Sequence, residues 1–144
     1  MLRAMTTIDP PRPAPDDDTA FFWEGCRDGE LRILRCDSCG RYIHWPRPVC
    51  SNCLSTSLTP QPVSGRGRLY SYTIADQAFH PWFADKVPYV VAVIDLEEQP
   101  GLRIVTNLVD HEDDYAVDMP VEVVFRQVAD DLVLPLFRPI RSAS

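Results

Sequence analysis

Four of the chain's five cysteines fall within eighteen residues, in CDSCGRYIHWPRPVCSNC, with Cys36 and Cys39 forming one C-x-x-C unit and Cys50 and Cys53 a second. Such a quartet is a disulfide framework, a reactive thiol site or a metal cage. An odd total cannot pair completely, and disulfides seldom persist in a reducing cytoplasm. Each C-x-x-C turn presents two thiolates on one side, and two turns facing each other complete a tetrahedral four-sulfur site that zinc accepts without redox cost. Gly40 follows Cys39 and permits the positive φ that aims amides at a thiolate; the second unit has Leu54 at that place. Ten residues separate Cys39 from Cys50, fewer than the roughly 15–20 usual between paired C-x-x-C units. They suffice for a short hairpin arm, with Tyr42, Ile43 and Trp45 in strand and Pro46 and Pro48 stiffening the return. Zinc is favoured over iron, and four thiolates leave no coordination position open, so the metal is expected to be structural. His44 reads as a polar tip on the arm and Cys26 as a small buried hydrophobe.

At 144 residues and 45% hydrophobic, the chain suits one compact unit or two small subdomains packed together. No apolar run approaches the roughly 18 residues of a membrane span, and the opening MLRAMTTIDPPRPAPDDD lacks an apolar segment before a small-residue cleavage site. A cytoplasmic protein without membrane attachment is the expectation. The net charge is -7, Lys86 is the only lysine, and the arginines scatter from Arg3 to Arg141. That balance argues against a nucleic-acid surface, which needs clustered positive charge, and leaves room for a local arginine pocket.

Residues 1–18, with four prolines and then Asp16, Asp17 and Asp18, are expected to form a mobile tail. AFFWEGCRDG then reads as a short helix, capped by Asp18 or Thr19, with Phe22, Trp23 and Cys26 on one face and Gly29 at its stop. ELRIL leads as a strand into the first cysteine turn, and SLTPQPVSG reads as a proline-broken connector. Five strands follow at 67–75, 89–96, 102–109, 121–128 and 132–139, rich in β-branched and aromatic residues. Between the third and fourth, DHEDDYAVDMP is expected to make one helical turn capped by Asp110. Asp130-Asp131 suits the tight turn between the last two. Five strands with a helical insert after the third is the order of an OB-fold, and barrel closure leaves no open edge; a sandwich or another five-stranded barrel is the alternative. The predicted fold class is thus mainly β: a tail over 1–18, a helix and zinc ribbon over 19–60, and a five-stranded OB-fold barrel over 61–141.

Taken together, FFWEGCRDGEL, RCDSCGRYIHWPRPVCSNC, GRGRLYSYTI, PYVVAVIDLEEQPGLRIVTNLVD and MPVEVVFRQVADDLVLPLFRP resemble a family that joins a rubredoxin-like zinc ribbon to an OB-fold beside acyl-CoA enzymes. The resemblance covers most of the chain. It implies zinc on Cys36, Cys39, Cys50 and Cys53. It also implies a non-catalytic accessory subunit that binds a thiolase-like enzyme, a steroid side-chain retro-aldolase or a hydratase in a hetero-oligomer. The leucine after Cys53 departs from the glycine pattern of the first turn.

The residues agree with that role, since His44, His80 and His111 stand in separate segments and neither a phosphate loop nor a nucleophile elbow is present. Candidate interface residues are Phe79, His80, Trp82 and Phe83 in the loop FHPWFADKVPY, with Phe22 and Trp23 on the helix. Arg66, Arg68 and Arg103 are candidate contacts to an acyl-CoA, through phosphate-binding guanidiniums beside aromatics. Two other classes use the same parts: a nucleic-acid-binding ribbon and OB protein, with Tyr70, Tyr72 and Phe79 as stacking platforms, and a rubredoxin-like iron electron carrier.

Overall fold

The computed structural model describes residues 8–141. Helix α1 (Ala20–Arg27) leads into a small antiparallel sheet of β1 (Arg32–Cys36), β2 (Tyr42–Ile43) and β3 (Leu58–Pro62), in the order β2-β1-β3. Beyond it β4 (Arg66–Ala75), β5 (Tyr89–Leu96), β6 (Arg103–Leu108), β7 (Pro120–Ala129) and β8 (Leu132–Pro139) close a barrel in the order β4-β5-β6-β8-β7. Every neighbouring pair is antiparallel except β6 and β8. This is the OB-fold expected from the strand count, and all five barrel strands lie within a residue of their expected bounds.

Two expectations are corrected. SLTPQPVSG is no mere connector: Leu58–Pro62 pairs with all five residues of β1. Its prolines fit because β3 is an edge strand, where a missing amide donor costs no ladder bond. No helical turn follows β6; the segment 110–119 runs as loop and turns, with Asp110, Asp113 and Asp118 at positive φ. A 3-10 turn, Pro81–Phe83, lies instead between β4 and β5. Helix α1 starts from Thr19, one of the two expected N-cap residues; its side chain makes no cap bond, and Asp16 Oδ1 accepts from the Thr19 amide at 3.0 Å while the Asp16 carbonyl accepts from Ala20 N–H. The C-terminus closes as expected at Gly29, with Gly29 N–H donating to Cys26 and Glu30 N–H to Gly25.

Residues 1–7 of the expected tail lie outside the described residues. The rest of it takes no helix or strand, yet Pro10 is buried and the Arg12 guanidinium pairs with Asp131 in the β7–β8 turn.

One core joins the two halves. Phe22 and Cys26 of α1 and Leu31 and Ile33 at β1 cluster with Leu69, Ile94, Ile104, Val121 and Phe137 inside the barrel. The alternation that the sequence shows along β5 is realised, Val90, Ala92, Ile94 and Leu96 pointing inward. Close approach of β4 to β5 requires Gly67, where a Cβ would stand 2.2 Å from the Asp95 carbonyl oxygen. Apart from the core, the ribbon is pinned to the barrel by one side chain: Gln99, in the β5–β6 loop, accepts from Tyr42 N–H at 2.8 Å and donates to Tyr42 O at 3.1 Å. Its amide takes the place of a paired strand beside β2.

Candidate metal centre and the surfaces around it

The two cysteine turns have matching hydrogen bonds. In the first, Cys36 N–H donates to Arg41 O and Gly40 N–H to Cys36 O, both at 2.9 Å; in the second, Cys50 N–H donates to Ser55 O and Leu54 N–H to Cys50 O, again at 2.9 Å. Gly40 has φ 78° and Leu54 φ 66°. Leucine therefore takes the left-handed conformation that glycine takes in the first turn, and the departure in sequence changes the cost of the turn without changing its shape. Leu54 is 75% exposed, so no burial offsets that cost.

The turns bring four Sγ atoms within 4.8 Å of one another. Cys36 and Cys53 lie 3.5 Å apart and Cys39 and Cys50 3.7 Å apart, against about 3.8 Å for the edge of a tetrahedron with 2.3 Å zinc–sulfur bonds. Cys36 and Cys50 are buried while Cys39 and Cys53 face outward. Amides already point at the sulfurs: Cys39 N–H donates to Cys36 Sγ at 3.5 Å. Bonds from the Cys39 and Ser38 amides hold the Cys36 thiol below its ordinary range. Hydrogen bonds from the Asn52 side chain and the Arg41 amide draw Cys39 down to about 6. A donor set of four thiols, spaced for a tetrahedron, fits a structural zinc ion; Cys36 and Cys39 are biased toward thiolate, while Cys53 is pushed up to about 12 among its sulfur neighbours. The cage is braced by Asp37, whose Oδ2 accepts from Ser57 and Thr59 hydroxyls at 2.9 Å each, a support that the sequence reading missed.

Neither of the other two sulfur and imidazole candidates joins it. The buried Cys26 thiol is pushed up to about 12 by desolvation, the protonation state of an inert core residue. His44 is half-buried against the Phe22 ring, 5.6 Å between centroids, and burial pushes it down to about 4. The arm tip is therefore packed, and the exposed aromatic beside it is Trp45.

The expected interface residues divide. Phe22 is buried to 3% and belongs to the core, whereas Trp23 is half-buried at its edge. Phe79 is 83% exposed. Phe83 folds back and stacks on Tyr89 at 4.8 Å, and Trp82 lies under the Lys86 ammonium at 3.9 Å with His80 Nδ1 accepting from its amide.

Arg66 and Arg68 line a groove of about 790 Å³ together with Tyr70, Asp95 and Glu97. Arg103 reaches its edge, the guanidinium 3.7 Å over the Tyr70 ring and Nε donating to Asp95 at 2.8 Å. Arg66 faces Glu97 at 3.7 Å and Arg68 donates to the Asp118 carbonyl at 2.9 Å. A second groove of about 520 Å³, mostly apolar, runs between Trp23, Trp45, Val105 and Leu134.

Comparison with known proteins matches residues 23–59 to the ChsH2 rubredoxin-like zinc ribbon domain and residues 60–126 to the ChsH2 C-terminal OB-fold domain. The chain is 40% identical to a probable enoyl-CoA hydratase alpha subunit of Thermomonospora curvata over 90% of its own length, and spans 40% of that protein. A DUF35 domain-containing scaffold protein of Methanocaldococcus jannaschii is 36% identical, with 68% of this chain and 69% of that one aligned. A benzoylsuccinyl-CoA thiolase subunit, BbsA of Geobacter metallireducens, is 33% identical over 75% of each chain. Among solved structures, an Ltp2-ChsH2(DUF35) aldolase chain superposes with a TM-score of 0.80 at 40% identity, covering 89% of this chain and 98% of that one. The chain thus belongs to the ChsH2, or DUF35, family of rubredoxin-like zinc ribbons joined to OB-fold domains.

Proposed function

We propose that this chain is a non-catalytic subunit that binds and supports an enzyme acting on coenzyme A thioesters, of the thiolase, retro-aldolase or hydratase kind. The observation that carries the reading is the cage of four cysteine sulfurs, spaced for a tetrahedral zinc ion. Four thiolates fill a tetrahedral shell, so no position remains to activate water or polarise a thioester carbonyl, and the ion holds shape only. Among the described residues, neither Cys26 nor His44 supplies the missing chemistry: one is a buried thiol and the other a half-buried neutral imidazole. Relatives named as hydratase and thiolase subunits support the same role.

In this reading Phe79 and Trp82 on the β4–β5 loop and Trp23 on α1 meet the partner. Arg66, Arg68 and Arg103 meet the phosphates of the acyl-CoA, Arg66 and Arg103 exchanging carboxylate neighbours and Arg68 a backbone carbonyl for the ligand. The test is co-purification with a thiolase-like or hydratase-like partner from the same genome, followed by assay of each component. The expected result is a stable complex that turns over acyl-CoA, a zinc-loaded chain inert alone, and weaker capture by Trp82→Ala without loss of fold. Turnover of a thioester by the isolated chain overturns the reading.

A further inference from the structure

Acidic residues outnumber Lys and Arg by 21 to 14, so a guanidinium on this surface readily finds a carboxylate. Among the described residues, Arg12, Arg32, Arg66, Arg103, Arg126, Arg138 and Arg141 each form an ion pair. Arg27 and Arg68 stand outside these pairs, and so do the arginines around the cysteine arm. Arg35 is held internally, Nε donating to Gly40 O at 2.8 Å with the guanidinium over the Tyr42 ring. Arg41 and Arg47 take part in none of these ion pairs, and both line a polar cleft of about 160 Å³ with Ser51 and Gln99.

The far wall of that cleft is His44 and Trp45, which also wall the 520 Å³ apolar groove between ribbon and barrel. Trp45 is 48% and Val105 70% exposed, so the groove keeps apolar surface facing water. A mostly apolar trough with a few polar groups at one end is the usual form of a small-molecule site. We propose that this junction binds an amphiphilic anion, its apolar body in the groove across Trp45 and its terminal carboxylate or phosphate on Arg41 and Arg47. Guanidiniums hold either head group bidentately. Arg103 and Trp23 also line the groove, whereas Arg66 and Arg68 do not; the proposal concerns binding by the free chain, which the co-purification test does not read, so the two fail separately.

The competing explanation is that the two arginines offset the zinc–thiolate cage, whose net charge is about minus two. Fluorescence titration of the zinc-loaded full chain in a Trp82→Phe background leaves Trp23 and Trp45 as reporters. Dodecanoate, dodecyl phosphate and dodecanol serve as probes. Saturable binding of either anion, with dodecanol at least about tenfold weaker, is the expected result, and the stronger anion identifies the head group. Arg41→Ala/Arg47→Ala should weaken the anion about tenfold while zinc content and dodecanol binding stay unchanged. Val105→Asp should weaken all three. Equal binding of the alcohol, no saturable response, or loss of zinc in the arginine variant overturns the proposal.

Discussion

Leu54 and His44 are the residues at which composition and conformation disagree. A leucine at φ 66° carries the backbone cost of the left-handed region, roughly 1–2 kcal/mol. Glycine relieves it and gives back part through a floppier unfolded chain. Leu54→Gly is therefore expected to stabilise the protein by about 0.5–1 kcal/mol in denaturant melts, with unchanged zinc stoichiometry. Burial depresses His44 from the ordinary 6.5 to about 4. The unfolded chain then binds a proton that the folded one refuses, so stability is fully present above pH 6.5 and declines as pH falls toward 4. His44→Gln should remove on the order of 1–3 kcal/mol of that decline, read as the difference between wild-type and variant melts at pH 7 and pH 5. The sequence showed only that Leu54 departs from the glycine of the first turn; its left-handed conformation is a finding of the structure. The burial of His44 was not legible either, because it depends on Phe22 arriving from a helix that the local sequence does not place.

Among the elements, β5, β7 and β8 were readable from alternation and β-branched content, since one face of each packs inward. β3 was hidden by its prolines. It exists because β1 offers a free edge of matching length, a tertiary fact, and because an edge strand tolerates proline. The missing helical turn after β6 has a similar cause: Asp118 N–H donates to Leu69 O at 2.7 Å and Leu69 N–H to Met119 O at 3.0 Å, tying the segment to the barrel. Gln99 is the corresponding tie for the ribbon. Gln99→Ala leaves the amide and carbonyl of Tyr42 without partners in a half-buried setting, at a cost of about 1–3 kcal/mol. Faster hydrogen exchange at Tyr42, with the β4–β5 ladder still protected, is the expected signature.

For the whole molecule, the shared core makes the halves interdependent, with Phe22, Leu31 and Ile33 packing against barrel residues. Loss of zinc should then be felt beyond the ribbon. Cys36→Ser is expected to lower bound zinc from about one equivalent to about none and to reduce barrel stability as well. Metal analysis and a melt followed at barrel aromatics check both, and an unchanged melt would mean that the cage stands apart from the core. The sequence by itself determined the four-cysteine cage, the helix and the five barrel strands, because each rests on local spacing: cysteine pairs with two residues between them, a glycine at the helix stop, alternating apolar side chains. Only the tertiary structure decided the third ribbon strand, the Gln99 tie, the division of the aromatics between core and surface, and the Trp45 groove. These depend on which segments meet across tens of residues, and nothing in a short stretch of chain records its neighbours in space.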